Sequence, residues 1–232
     1  MQSILITGSN RGLGLEWVRQ YLDVGWRVYA TCRSPNKAVD LHQLQQAYNS
    51  VSIHQLDVTQ PDQIQRVKQE LASTKLDLLI NNAGMYYERW GKDKLDHIDY
   101  EAWEESFRVN TLGAIRMTEA LRANLSRSEK RLVVSITSHM GSIGDITSAN
   151  DYAYRSSKAA LNAVMKGLVY ELAEEGIGIL LLHPGWVRTR MGGSSAPLSA
   201  NESVSNMRRL VDVFRQEDNG KFYRYDGEVM PW

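Results

Sequence analysis

Thr7-Gly8-Ser9-Asn10-Arg11-Gly12-Leu13-Gly14 is the stretch on which the reading of this chain turns. It follows a short apolar run, residues 3–7. It opens an amphipathic stretch, residues 13–24, in which Leu13, Trp17, Val18, Tyr21 and Leu22 recur at helical spacing. Small residues between a strand and a helix let the backbone turn sharply and approach a pyrophosphate. The helix start then offers unpaired N–H groups and the positive end of a dipole. The spacing is Gly-x-x-x-Gly-x-Gly. Alone, such a run reads equally as a structural turn; at the head of a chain that keeps alternating strand and helix, it reads as a dinucleotide loop.

That alternation continues outward. Strand-like runs are expected at residues 27–32, 51–55, 76–81, 131–137, 178–183 and near 221–225. Helices are expected over 37–48, 61–73, 100–125, 152–175 and 202–215, with Pro61 in a first turn and Gly176 as a stop. Long loops fall at 85–97 and 141–151. Strands alternating with helices imply a parallel sheet covered on both faces, a doubly wound Rossmann-type α/β fold. No repeat, low-complexity tract or linker divides the 232 residues, so one domain is expected over 1–232. The stretch 186–215 would be its flap, mobile at 192–197.

Composition narrows the function. The 27 Lys and Arg balance 27 Asp and Glu, which leaves no dominant basic face for nucleic acid. No run approaches the ~18 apolar residues of a membrane span, and the start, MQSILITGSN, lacks the basic and apolar regions of a signal peptide. Cys32 is the only cysteine, so an internal disulfide is impossible and a reducing, cytoplasmic setting is expected. His42, His54, His97, His139 and His183 show no ligand spacing, and no metal is expected.

Two features carry chemistry. Tyr154 and Lys158 stand four apart on an expected helix and share a face. A tyrosine is a poor acid–base group at its ordinary pKa of ~10. A neighbouring ammonium favours the phenolate and should lower that value, so that the tyrosine protonates a carbonyl oxygen as hydride arrives at carbon, or runs the reverse. At the end of the second strand, where an acidic residue would grip the 2′-hydroxyl of NAD(H), stand Cys32 and Arg33, with Arg11 in the loop nearby. Two guanidinium groups suit a 2′-phosphate, and NADP(H) is expected over NAD(H).

Together with Asp57, Asn81-Asn82-Ala83-Gly84, Asn110, Ser138 and Pro184-Gly185, these motifs resemble those of the short-chain dehydrogenase/reductase family over nearly the whole chain. Tyr152-Ala153-Tyr154-Arg155-Ser156-Ser157-Lys158 and the closing Tyr223-x-x-Asp226-Gly227…Pro231-Trp232 are similar to the C-factor-like and sniffer-like carbonyl reductases. The resemblance implies that Tyr154 is the general acid, Lys158 holds the nicotinamide ribose, Ser138 polarises the substrate carbonyl and Asn110 holds a relay water. It also implies that the dinucleotide lies against Gly8, Asn10, Arg11, Gly12, Leu13 and Gly14. Arg33, Asp57, Val58, Asn82, Ala83 and Gly84 would complete the adenosine side. Pro184, Gly185, Val187 and Thr189 would meet the nicotinamide, along with Tyr154 and Lys158.

The serine-to-tyrosine spacing is three longer than the family's, which an insertion at 141–151 would absorb. Met140, Trp186 and Met191, with Trp90 and Trp103, are apolar candidates for the pocket. Arg190 would face water or an anionic substrate. The expected activity is NADPH-dependent reduction of a small carbonyl compound, by a homodimer or homotetramer. A signalling or redox-sensing protein with little turnover, and NAD-dependent oxidation of an alcohol, are the alternatives.

Overall fold

The inner strands of the central sheet are apolar on both sides, because helices cover both faces. The computed structural model describes residues 1–88 and 95–232. β1 (Ser3–Ile6) leads into α1 (Gly12–Asp23), then β2 (Arg27–Cys32), α2 (Val39–Ala47), β3 (Val51–Gln55), α3 (Pro61–Glu70) and β4 (Leu78–Asn81). After the long loop come α4 (Tyr100–Phe107), α5 (Gly113–Ser126), β5 (Leu132–Ile136), α6 (Tyr152–Leu172), β6 (Gly178–His183), α7 (Ala200–Asp212) and β7 (Phe222–Arg224). The strands form one sheet in the order β3-β2-β1-β4-β5-β6-β7, and every named pair is parallel.

Alternate residues of each strand feed two cores. Ile4, Ile6, Val28, Leu78, Ile80 and Val134 pack under α1 and α7 with Trp17, Tyr21, Val204 and Met207. Leu5, Leu79, Val133, Ile179 and Leu181 face the other way, onto Ile64, Val67, Met117, Leu121, Leu161 and Met165 of α3, α5 and α6. The winding reverses where β4 pairs with β1 instead of β3, in the register Leu5↔Leu79. A crevice opens at the carboxyl ends of strands beside such a switch.

Two expected helices are interrupted, while those expected over 61–73 and 202–215 run over Pro61–Glu70 and Ala200–Asp212. The helix expected over 100–125 is divided by a wide π-type turn at Arg108–Leu112. Such a turn inserts an extra residue into the helical ladder and re-aims the side chains on it; here they include the buried Asn110 and Thr111. The helix expected over 37–48 begins with a 3-10 turn at Pro35–Lys37, because Pro35 fixes a first turn that then restarts at Val39.

Candidate active site

The Gly-rich loop is tied down from below. Ser9 is fully buried; its hydroxyl donates to the Ile6 carbonyl (2.7 Å) and accepts from the Thr31 amide (3.2 Å), which fastens the loop to β2. Thr7 Oγ1 accepts from the amides of Asn82 (3.0 Å) and Ala83 (2.9 Å), and the Asn82 side chain donates to the Thr7 and Gly8 carbonyls. Asn82 and Ala83, expected at the dinucleotide, therefore brace its loop.

Gly14 is the tightest point. A Cβ there would stand 2.2 Å from the Gly8 carbonyl oxygen and 2.7 Å from Asn82 Nδ2. Gly12, at φ +55°, would press its Cβ on Thr189 at 3.4 Å, so loop 186–198 borders the cradle. Asn10 and Leu13 are half-buried beside it.

Arg11, Arg33 and Arg190 are exposed and share this corner. The Arg11 pKa is held below its ordinary value, by burial first and then by the charges of Arg190 and Arg33. Arg190 thus joins the two arginines expected there. Asp57 closes the end of β3, accepting from Thr59 N (3.0 Å) and Thr59 Oγ1 (2.7 Å). Val58 is buried, and a Cβ on Gly113 of α5 would meet its side chain.

Asn110, Lys158, Ser138 and Tyr154 meet across the crevice from the loop. The Asn110 amide accepts from Met85 N (2.8 Å) and donates to Met85 O (2.9 Å) and Ser157 Oγ (3.0 Å). Gly84 sits between it and the lysine; a Cβ there would be 3.3 Å from Asn110 Oδ1 and 3.6 Å from Lys158 Nζ. Lys158 is buried and donates to the Ile136 carbonyl at 2.9 Å. Among the serines near the end of β5, Ser138 is the one that acts on the Tyr154 hydroxyl, holding its pKa down against burial. Ser135 is fully buried, Thr137 donates to Asn162, and Ser142 receives the Asp145 amide. The longer spacing from Ser138 to Tyr154 is taken up in the loop before α6, which ends with Asn150 and Asp151 in left-handed conformations.

Tyr154 does not titrate as its sequence spacing suggested. Burial pushes its pKa up to about 12; the Ser138 hydrogen bond opposes this, and the Glu88 carboxylate adds to it. Lys158 Nζ is 5.9 Å from the ring centroid and committed to Ile136, so it does not lower the phenol's pKa in the protein alone. Burial therefore favours the neutral phenol over the phenolate in the protein alone.

Burial pulls Lys158 down from 10.5 to about 8. The unfolded chain binds this proton more tightly than the folded one, so this group makes stability rise with pH from about 8 to about 10.5. Lys158→Met is accordingly expected to stabilise the protein at pH 7. The gain is on the order of 2 kcal/mol: ~1.4 kcal/mol for each tenfold loss of proton affinity on folding, less one lost hydrogen bond. Urea denaturation at pH 7 and again near pH 10.5 reads it: the gain should shrink at the higher pH, and no gain at pH 7 would rule out a strained ammonium.

Pro184 and Gly185 follow β6; the Pro184 carbonyl accepts from Ser203 Oγ at 2.6 Å, which anchors α7 under the loop. Val187 is buried and bridges to Leu198, while Trp186 Nε1 donates to Gly192 O (2.7 Å) and Gly192 N to Thr189 Oγ1 (3.1 Å). The stretch 186–215, expected as a flap, consists of a loop folded on itself followed by α7.

Trp186 and Met191 are exposed on that loop. Met140 instead lines a groove of about 400 Å³ with Ile143, Ile146, Trp103 and Tyr152. From α6, Tyr152, Arg155, Ser156 and Ala159 line this groove. Trp103 donates to Ser156 Oγ (2.9 Å). Trp90 lies outside the described residues. Thr7, Ser9 and Ser157 stand inside the quoted motifs, but sequence reasoning gave them no role of their own; they serve the site through backbone and partner contacts that no spacing encodes.

Among the described residues no helix is long and apolar enough to cross a membrane. Known proteins share the arrangement. C-signal of Myxococcus xanthus is 42% identical over 157 residues, 68% of this chain and 93% of that protein. The carbonyl reductase Sniffer of D. melanogaster superposes with a TM-score of 0.94 at 31% identity, over all of both chains. An NADPH-bound carbonyl reductase from chicken fatty liver does so with a TM-score of 0.92 at 31% identity, over 100% of this chain and 99% of that one. The family model for short chain dehydrogenase matches residues 2–198, nearly everything from β1 to the end of the loop after β6. With the sheet order, the crevice and these likenesses in agreement, the chain is an oxidoreductase that belongs to the short-chain dehydrogenase family.

Proposed function

We propose that this protein reduces the carbonyl group of a small ketone, aldehyde or quinone with NADPH, Tyr154 giving the proton. The observation that carries this reading is a buried Tyr154 beside Ser138, its phenol pKa raised by burial, across a crevice from a glycine cradle flanked by three arginines. The cradle fits a pyrophosphate, since at Gly14 even a methyl group would collide with the loop. Arg11 and Arg33 fit a 2′-phosphate, whose negative charge relieves their mutual repulsion.

When bound, the reduced nicotinamide supplies the hydride that reaches the carbonyl carbon. Tyr154 donates its hydroxyl proton to the carbonyl oxygen, and Ser138 directs a second hydrogen bond at the same developing charge. Lys158 and Asn110, with Gly84 between them, hold the polar path by which Tyr154 is reprotonated. Asp57 and Val58 border the adenosine side, and Val187 and Thr189 the nicotinamide side. The chain works as a single domain in the reducing cytoplasm. Its apolar α4–α6 face, with Tyr100 and Leu112 exposed, is where a homodimer or homotetramer would form.

The test is consumption of NADPH and NADH against a panel of quinones, α-dicarbonyls and aldehydes. NADPH should be preferred, and Arg33→Gln should reduce that preference about 10- to 100-fold, the worth of one charge-assisted hydrogen bond. Equal use of both cofactors by the unmodified protein would remove the 2′-phosphate argument. Tight NADPH binding with no carbonyl turned over would favour a cofactor-dependent sensor, the reading that likeness to C-signal prompts.

A further inference from the structure

The first turn of α6 carries Tyr154, and its own residues leave it uncapped. The residue before it, Asp151, is left-handed (φ 57°, ψ 35°) and makes no side-chain cap. A helix start presents amides with no partner inside the helix, and buried amides must find one elsewhere. Here the partner comes from 65 residues away in the chain. Glu88, 1% exposed in the loop after β4, accepts from Ala153 N at 2.5 Å through Oε1 and from Tyr154 N at 3.0 Å through Oε2.

The same loop grips the turn twice more. The Tyr86 ring lies 4.6 Å from that of Tyr154, tilted by 38°, and its hydroxyl donates to Asp151 Oδ1 at 2.6 Å. One residue earlier, Met85 is held at both backbone atoms by Asn110. The segment from Met85 to Glu88 therefore joins the π-type turn to the start of α6.

We propose that Glu88 is a positioning residue for the reduction: its carboxylate, by capping α6 from outside the helix, sets the height and rotation of the turn that aims the Tyr154 hydroxyl. An ionised carboxylate suits the post, because it accepts two bonds at once and meets the positive end of the helix dipole. What Tyr154 does rests on the reductase reading; what holds it rests on the Glu88 and Tyr86 contacts themselves. The loop that braces the cofactor cradle at its start, through Asn82 and Ala83, thus fixes the proton donor further along.

The experiment compares the full-length protein with Glu88→Gln and Glu88→Ala, reading kcat, KM for the carbonyl, NADPH affinity by fluorescence, and amide hydrogen exchange at Ala153 and Tyr154. In Glu88→Ala, kcat should fall about 100-fold, the cost of an ångström-scale misplacement, while NADPH affinity stays within about twofold and both amides lose protection. Glu88→Gln keeps an acceptor and should recover to within about tenfold of the unmodified rate. Wild-type kcat in Glu88→Ala would overturn the proposal. So would equal losses in both variants accompanied by loss of NADPH binding, since Glu88 would then hold up the fold as a whole. If the unmodified protein binds NADPH and reduces nothing, the reductase reading fails; amide protection that is unchanged in Glu88→Ala would separately refute the cap.

Discussion

Tyr154→Phe should cost about 10²- to 10⁴-fold in kcat, the usual worth of a positioned general acid, and leave NADPH affinity within about twofold. The substitution removes one oxygen and keeps the ring. That ring is packed against Tyr86 and almost fully buried, so α6 keeps its place and the cofactor cradle, on the far side of the crevice, is untouched. Single-turnover reduction of the best substrate in the panel, beside a fluorescence titration with NADPH, separates the two effects. Turnover at the unmodified rate would show that the proton comes from elsewhere, and Ser138 would be the next group to test.

The pH profile carries a matching sign. With the phenol raised to about 12, the acid form persists far past neutrality, so reduction should not decline through its ionisation between about pH 6 and 9. Alcohol oxidation needs the phenolate and should rise with pH over that range. A reduction rate that fell around neutrality would mean that bound cofactor moves the Tyr154 pKa well below its value in the protein alone.

The second large effect belongs to Gly14→Ala. The new methyl group would lie 2.2 Å from the Gly8 oxygen and 2.9 Å from the Gly8 carbonyl carbon, both backbone atoms of a loop already fastened to β2 and β4. Neither side can yield cheaply. Overpacking of this kind costs about 1–3 kcal/mol of stability. The shift that relieves it should weaken NADPH binding by about 100-fold, or ~2.7 kcal/mol. Gly167→Ala is the control: apart from its own helix backbone, none of the described residues comes within 4 Å of a Cβ added there, and the change should stabilise the helix by up to about 1 kcal/mol. Thermal melts and NADPH titrations of both variants decide the matter. Normal cofactor affinity in Gly14→Ala would show that the cradle does not hold the pyrophosphate.

How far the sequence revealed this molecule depended on whether the signal was local. β2 and β6 lie where the apolar runs predict, because buried strands announce themselves residue by residue; β3, a half-exposed edge strand, also falls over its expected residues. Gly176 ends its helix as expected, at φ 67°. The π-type turn at Arg108–Leu112 was invisible, since hydrophobic spacing cannot register one inserted residue in a helix that continues on both sides. Tyr154 and Lys158 stood out by spacing, yet their electrostatics did not follow from it: burial, a tertiary property, outweighs the attraction that four-residue proximity suggested. Met140, which stands near Ser138 in sequence, lines a groove between Trp103 of α4 and the start of α6. Glu88 had no periodic or motif signal, because the bonds by which it caps α6 go to backbone amides, and nearly every residue has one of those.

The bond between Thr7 and the strand-end turn at Asn82 and Ala83 has a consequence for how the protein is made. The three strands nearest the amino terminus form a sheet fragment of their own, with the glycine loop at its edge. The loop's brace, however, comes from residues 75 and 76 positions further along the chain. A growing or refolding chain that has paired β1, β2 and β3 but not β4 owns the turn without its support. Long-range pairings of this kind form slowly, because closing the intervening loop costs entropy before any contact rewards it. The ability to hold a nucleotide therefore arrives late in folding. A ligand that recognises only the finished crevice cannot guide the chain toward it, but it holds the native state once reached, by mass action.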